Sequence, residues 1–312
     1  MMATTVIAER IAAHRAPDDF VYLLVDPLAG CAPEYALSPS SLAATLGEDA
    51  LVSVPRPDLA HTVGACPILV RLAGPGHAPD ADLLDRTEQL ALAETGHRKR
   101  YGCGCLLSPL SADALAEHIA ARCLTFSASA SGGMSPWFEP LRLELLAAAM
   151  PDTLSSALWP IRTWLLPTSW GEIAMVNGAP GASSLVPAIA CDAQRDAALI
   201  ALLLSAWRRA LQAPLSFAPR PWQGRTLLPP QAAASAFRMI RQARQRGVTD
   251  SKDLLALALH QETIHPQLLR FEPLRDALHR ATPGHASGVL AAYGNVAWSR
   301  IAAYLNEAGE GA

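Results

Sequence analysis

The chain has 312 residues, 51% of them hydrophobic and 17% charged, with a formal net charge of −3. That length predicts one large or two modest domains, and the apolar fraction is enough to fill a core, which excludes global disorder. The small net charge hides an asymmetry: from Arg195 onward 14 Lys/Arg face 8 Asp/Glu, and the preceding part holds 11 against 20. Two lobes with different surfaces are expected, either docked on each other or with the basic lobe facing a separate acidic partner.

In chain order, residues 6–15 read as a short amphipathic helix, with Glu9 and Arg10 where a signal peptide would need an apolar run. Residues 20–25 (FVYLLV) form a continuous apolar run between acidic neighbours, the pattern of a strand buried on both faces. A helix beginning at Pro39 is expected to end at Gly47, followed by short strands at 51–54 and 67–72. Residues 80–94 have helical spacing. Residues 102–107 read as a strand, then Ser111 caps a helix through Arg122, with Asp113 in its first turn. The alternation at 124–130 predicts another strand, 140–150 a helix, and 161–166 with 171–176 a hairpin around Pro167-Thr168-Ser169. Beyond about residue 190 only helices are expected: 193–212, 230–246, 250–264, 273–280 and 285–305, with a Pro-rich linker at 214–230. Asp250 and Asp253 imitate a capping box.

The fold class expected is therefore α+β. An N-terminal α/β lobe over 1–190, with a mixed sheet flanked by helices, precedes an all-helical lobe over 191–312. The longest apolar run, 197–204 extended to Trp207, falls short of the roughly 20 residues that span a bilayer. A soluble cytoplasmic protein without membrane contact is expected.

Sites for chemistry are sparse. Gly74, Gly76, Gly102, Gly104, Gly178 and Gly181 form no GxGxxG and precede no Gly-Lys-Ser/Thr, so no phosphate cradle is present. No GxSxG nucleophile elbow occurs. Six cysteines (31, 66, 103, 105, 123 and 191) form no CxxC pair, and buried reduced thiols are expected. Cys103-x-Cys105 should place two thiols on one face of a strand. With His118 on the next helix, they are the candidate thiolate–imidazole pair of a cysteine-dependent enzyme. Glu262 and His265 have the i, i+3 spacing of a carboxylate-bridged metal site, but no second copy exists, and a solvated helix face is the expectation. Arg238, Arg241, Arg244 and Arg246 make the C-terminal lobe basic. Nucleic acid is an alternative ligand there, but few aromatics interleave with them and a partner-facing surface is favoured. Trp137, Trp159, Trp164 and Trp170 cluster within one stretch, and tryptophan is enriched at interface hot spots.

Residues 101–170 are the most informative region. The strand–helix order there, with the segments around it, resembles the type VI secretion effector-adaptor family (the Tap/Tec adaptors). VYLLVDPLAG at 21–30 is similar to the family's opening "ALLD" strand, and ACPILVRL at 65–72 to its "GP-LV-L" strand. GCLLSPLSADALAEHIAARC at 104–123 resembles the "L-SP…L…HL" strand and helix. PWFEPLRLELLAAAM at 136–150 resembles "FRFYDPRVL..LL", and LWPIRTWLLPTSWGE at 158–172 resembles "GPI..W…..G". The helical tail, with GVTDSKDLLALAL at 247–259 and Trp298, fits the family's C-terminal helices. Where the family reads Asp-Pro-Arg this chain has Glu139-Pro140-Leu141, with Arg142 one place later, turned by about 100° on a helix.

The resemblance implies a cytoplasmic, non-enzymatic adaptor that takes no cofactor or metal. It would bind a toxic effector and load it onto the C-terminal end of a VgrG spike. Trp137, Arg142, Trp164, Trp170, Arg238 and Arg241 are the partner-binding residues expected on that reading.

Overall fold

The computed structural model describes residues 5–127, 133–181, 185–212 and 227–310. The chain divides into two compact units, Met1–Ala197 and Ala198–Ala312. The division falls inside a long helix, Ala188–Gln212.

Six strands build the first unit: β1 (Phe20–Val25), β2 (Leu51–Ser53), β3 (Ile68–Ala73), β4 (Gly102–Ser108), β5 (Thr163–Pro167) and β6 (Ile173–Asn177). They form one sheet in the order β2-β3-β1-β4-β5-β6. Every pairing is antiparallel, which corrects the expected mixed sheet. The strand–helix alternation of the sequence is read as parallel crossovers only if each helix returns the chain to the same end; here neighbouring strands run in opposite directions.

Both faces of the sheet are covered, which explains why β1 is apolar throughout rather than alternating. Val21, Leu23 and Val25 point to one face with Val70, Leu107 and Leu165. The helices α1 (Val6–His14), α2 (Pro39–Leu46) and α3 (Ala81–Ala93) close that side through Ile7, Ile11, Leu42, Leu83 and Leu84. Tyr22 and Leu24 point to the other face with Leu69, Leu106 and Trp164. There α4 (Ala112–Thr125), α5 (Pro140–Ala149) and α6 (Leu154–Leu158) supply Leu115, Ile119, Leu143, Leu146, Leu154 and Leu158. The N-caps act as their residue types dictate: Thr5, Ser38, Asp80 and Ser111 each accept a backbone N–H of the first turn.

Two boundaries differ from expectation in this unit. The helix capped by Ser111 continues to Thr125, so Leu124 and Thr125 lie on a helix and not on a strand and Phe126 is its C-cap; Leu124 is exposed, and residues 128–130 of that expected strand lie outside the described residues. The short helix α6 was not foreseen.

Among the described residues the second unit is helical. The helix α7 (Ala188–Gln212) crosses the division and is followed by α8 (Ala232–Gln245), α9 (Ser251–Thr263), α10 (Glu272–Arg280), α11 (Ala286–Ala291) and α12 (Asn295–Glu310). One helix was expected over 285–305, but it is broken between α11 and α12 around Gly294, whose carbonyl starts the next helix by accepting from Trp298 N. The Pro-rich linker lies mostly outside the described residues. The core holds Ile264, Leu268, Leu274, Leu290, Ile301 and Leu305 around Trp298, whose ring meets His260 at 5.6 Å and Tyr293 at 5.0 Å. Asp250 caps α9 by accepting from Lys252 N and Asp253 N. Asp253 does not reach back to complete a box; it is buried and accepts from Gly284 N (2.7 Å) and Ala286 N (2.8 Å), anchoring the start of α11.

Candidate functional site

At the start of β4 the register slips: Leu24 pairs with Gly104 but Val25 pairs with Gly102, leaving Cys103 as the extra residue of a bulge. Side chains alternate along a strand, so one extra residue exchanges the faces. Cys103 packs in the Tyr22–Trp164 core and Cys105 in the opposite one, which corrects the expectation of two thiols on one face. Glu94, buried after α3, holds the bulge in place by accepting from Tyr101 N and Gly102 N at 3.0 Å each.

The thiolate–imidazole pair is not assembled. Both thiols are fully buried, and burial pushes Cys105 up to about 12 and Cys103 well above the usual thiol range. The contact of the Cys103 thiol is a weak one to Tyr101 O at 3.9 Å. His118 is held near pKa about 4, first by burial and then by the Arg122 charge. Its Nε2 is buried with no hydrogen-bond partner among the described residues. Burial favours the protonated thiols and the neutral imidazole, and among the described residues no hydrogen bond joins either thiol to the His118 ring.

The polar groups that do converge lie where β1 ends and α5 begins. Asp26, directly after β1, is 1% exposed; it accepts from Leu28 N at 3.0 Å and meets Lys99 Nζ at 3.1 Å. Lys99 Nζ also meets Glu139 at 3.3 Å, and the other Glu139 oxygen takes Arg142 Nε at 3.0 Å. The Arg142 guanidinium continues to Gln194 O (2.8 Å) and Ser135 Oγ (3.3 Å), and Gln194 Nε2 returns a bond to Arg142 O (3.0 Å). Desolvation pushes the Asp26 carboxyl up, and the Lys99 charge opposes it. This ladder ties β1, α5 and the start of α7 together. Its members satisfy one another, so it is a brace whose charges are already spent.

The six residues expected to bind partners separate into three groups. Trp137 and Trp164 are fully buried, a correction: their rings meet edge to face at 5.3 Å, and their N–H groups donate to Ile119 O (3.1 Å) and Cys103 O (3.2 Å). A tryptophan whose indole N–H finds a carbonyl inside the core has no reason to face water. Arg142 belongs to the brace. Trp170, half-buried, donates to Glu172 at 3.1 Å, and Arg238 and Arg241 are exposed on α8, whose Phe237 and Ile240 are buried. Trp222 lies outside the described residues.

Other sequence candidates also resolve. His265 is buried, not solvated: Gln267 N donates to its Nδ1 and its Nε2 donates to Asn306 at 3.1 Å, which fixes it as a structural tautomer. No three His, Cys, Asp or Glu side chains among the described residues group so as to hold a metal ion. No helix among them is long and apolar enough to cross a membrane. Sequence reasoning passed over Asp26, Lys99 and Gln194; the one signal was an acid placed directly after a strand of six apolar residues. No family model, curated protein or solved structure matches the chain.

Proposed function

We propose that this chain is a cytoplasmic, non-enzymatic adaptor that binds a toxic effector of the type VI secretion system and loads it onto the C-terminal end of a VgrG spike. One observation carries the reading. Two of the segments that resemble the adaptor family, VYLLVDP and FEPLR, lie far apart in the chain, yet their charged residues meet in one ladder, Asp26–Lys99–Glu139–Arg142. Motifs that interlock make a scaffold signature; motifs that merely recur do not. The Glu139 and Arg142 pairing also accommodates the departure from Asp-Pro-Arg, since an i, i+3 step on α5 brings guanidinium and carboxylate within 3.0 Å.

An adaptor needs surfaces and no reaction. Trp170, Arg238 and Arg241 are the members of the expected set that offer one. The test is co-purification of the full chain with the effector or spike protein encoded beside it. A stable complex with either at micromolar concentration is expected, and Arg142→Ala should weaken it only as far as it lowers stability. Absence of a complex with both proteins overturns the reading.

A further inference from the structure

The second unit contains a cleft of about 420 Å³ whose walls carry three arginines from three separate elements. Arg246 stands at the C-terminal end of α8, Arg270 in the short turn before α10, and Arg275 on α10. Leu269, Tyr304 and Leu305 form an apolar floor. No carboxylate is supplied to Arg246 or Arg270 by the described residues, and both are exposed. Arg275 is partly engaged: its Nε donates to Asp276 at 3.3 Å and a terminal nitrogen stands 3.6 Å from Glu272, both carboxylates exposed on its own helix, which leaves the rest of its fork open.

The placement of Arg246 is built. The Arg246 N–H and the Gly247 N–H close the last turn of α8, Val248 N bonds back to Ala243 O, and Gly247 takes φ +86°, a conformation that favours glycine. His279 Nε2 donates to the Arg246 carbonyl at 3.2 Å, tying this turn to α10. Tyr304 is 56% exposed, with its ring edge-on to Phe271 at 5.9 Å, so a large apolar surface lies open beside three cations.

We infer that this cleft is a binding site for an acidic linear peptide segment of a protein partner, in which carboxylates pair with Arg246, Arg270 and Arg275 while an apolar side chain rests on Leu269, Tyr304 and Leu305. Charge and volume decide the class. Guanidinium forks match carboxylates, and a cleft of this size holds several side chains where a free inorganic anion would fill only a fraction. A nucleic acid strand would need a basic track with several stacking rings; a single exposed tyrosine lines this cleft. The site does not depend on the adaptor reading: failure of the effector and spike to co-purify leaves it standing.

The test is fluorescence anisotropy with the full chain and a labelled peptide alternating glutamate with leucine. Saturable binding below about 1 mM is expected, weakening with salt. The double variant Arg246→Glu/Arg270→Glu should lose at least about tenfold, and Arg246→Gln/Arg270→Gln somewhat less. Arg86→Glu/Lys252→Glu, exposed and outside the cleft, should stay within about twofold. Circular dichroism of each variant should match the parent, since all four side chains are exposed. The inference is overturned if the parent shows no saturable binding or if both charge-reversal pairs weaken binding equally. It also fails if a glutamine-for-glutamate peptide binds as well, if inorganic phosphate displaces the peptide at equal concentration, or if a single-stranded oligonucleotide binds more tightly.

Discussion

Replacing Gly104 by alanine addresses the bulge on which the sorting of the two cysteines depends. Gly104 sits at φ +127°, and a Cβ built there would lie 2.3 Å from Leu165 O and 2.8 Å from Trp164 Nε1. The first is backbone of the neighbouring strand, so it cannot rotate away; relief requires β5 to move off β4 at the Cys105–Leu165 pair. A glycine-only backbone conformation costs about 1–3 kcal/mol when forced on another residue, and overpacking a filled site about 1–3 kcal/mol more. The expected loss is therefore about 2–6 kcal/mol, a large share of the roughly 5–15 kcal/mol that holds a domain folded. At about 2–4 °C per kcal/mol for a unit of this size, the melting transition should fall by roughly 4–24 °C. Thermal unfolding followed by circular dichroism reads this directly, with urea unfolding as the isothermal check. A Gly104→Ala protein melting within about 1 °C of the parent would refute the bulge geometry, because neither cost can vanish while Leu165 O stays where it is.

Asp26→Asn tests the brace through pH. Burial raises the Asp26 carboxyl pKa in the folded chain, so the folded state binds that proton more readily than the unfolded one, and the group's contribution to stability rises as pH falls. The Asn variant removes this dependence and keeps an acceptor for Leu28 N; its stability relative to the parent should be highest near neutral pH and shrink toward about pH 4. A difference that stays flat across that range, measured by urea unfolding, contradicts the assignment. Thiol labelling under native conditions should modify Cys31 and Cys191, which are partly exposed, and spare Cys66, Cys103, Cys105 and Cys123. Fast labelling of Cys103 or Cys105 would revive a reactive-cysteine role.

Much of the framework was legible because local rules act where they are written. An apolar run flanked by acids became β1, and Ser111 became the cap of α4, since burial of a strand and the orphan N–H groups of a helix are satisfied by neighbours in sequence. The failures share a cause of the opposite kind. Leu124 has the alternation of a strand but lies in the last turn of α4, where the Phe126 N–H closes the helix onto Arg122 O and Leu124 O. Glu262 and His265 look like a wet helix face, and His265 is dry because Asn306 of a distant helix comes to meet it.

The amino-acid sequence by itself determined the inventory: an acidic part with strands and helices, a basic helical part, capped helix starts, and a group of tryptophans in want of burial. Tertiary structure decided direction, face and partner. It made every strand pair antiparallel, turned Cys103 away from Cys105 by one bulged residue, and placed Trp137 and Trp164 inside the core. It also brought Asp26 and Glu139 onto one lysine and three arginines around one cleft. The physical reason is separation along the chain. Periodicity and capping are set by residues a few positions apart, whereas register, burial and charge pairing depend on groups that only folding brings within a hydrogen bond of each other.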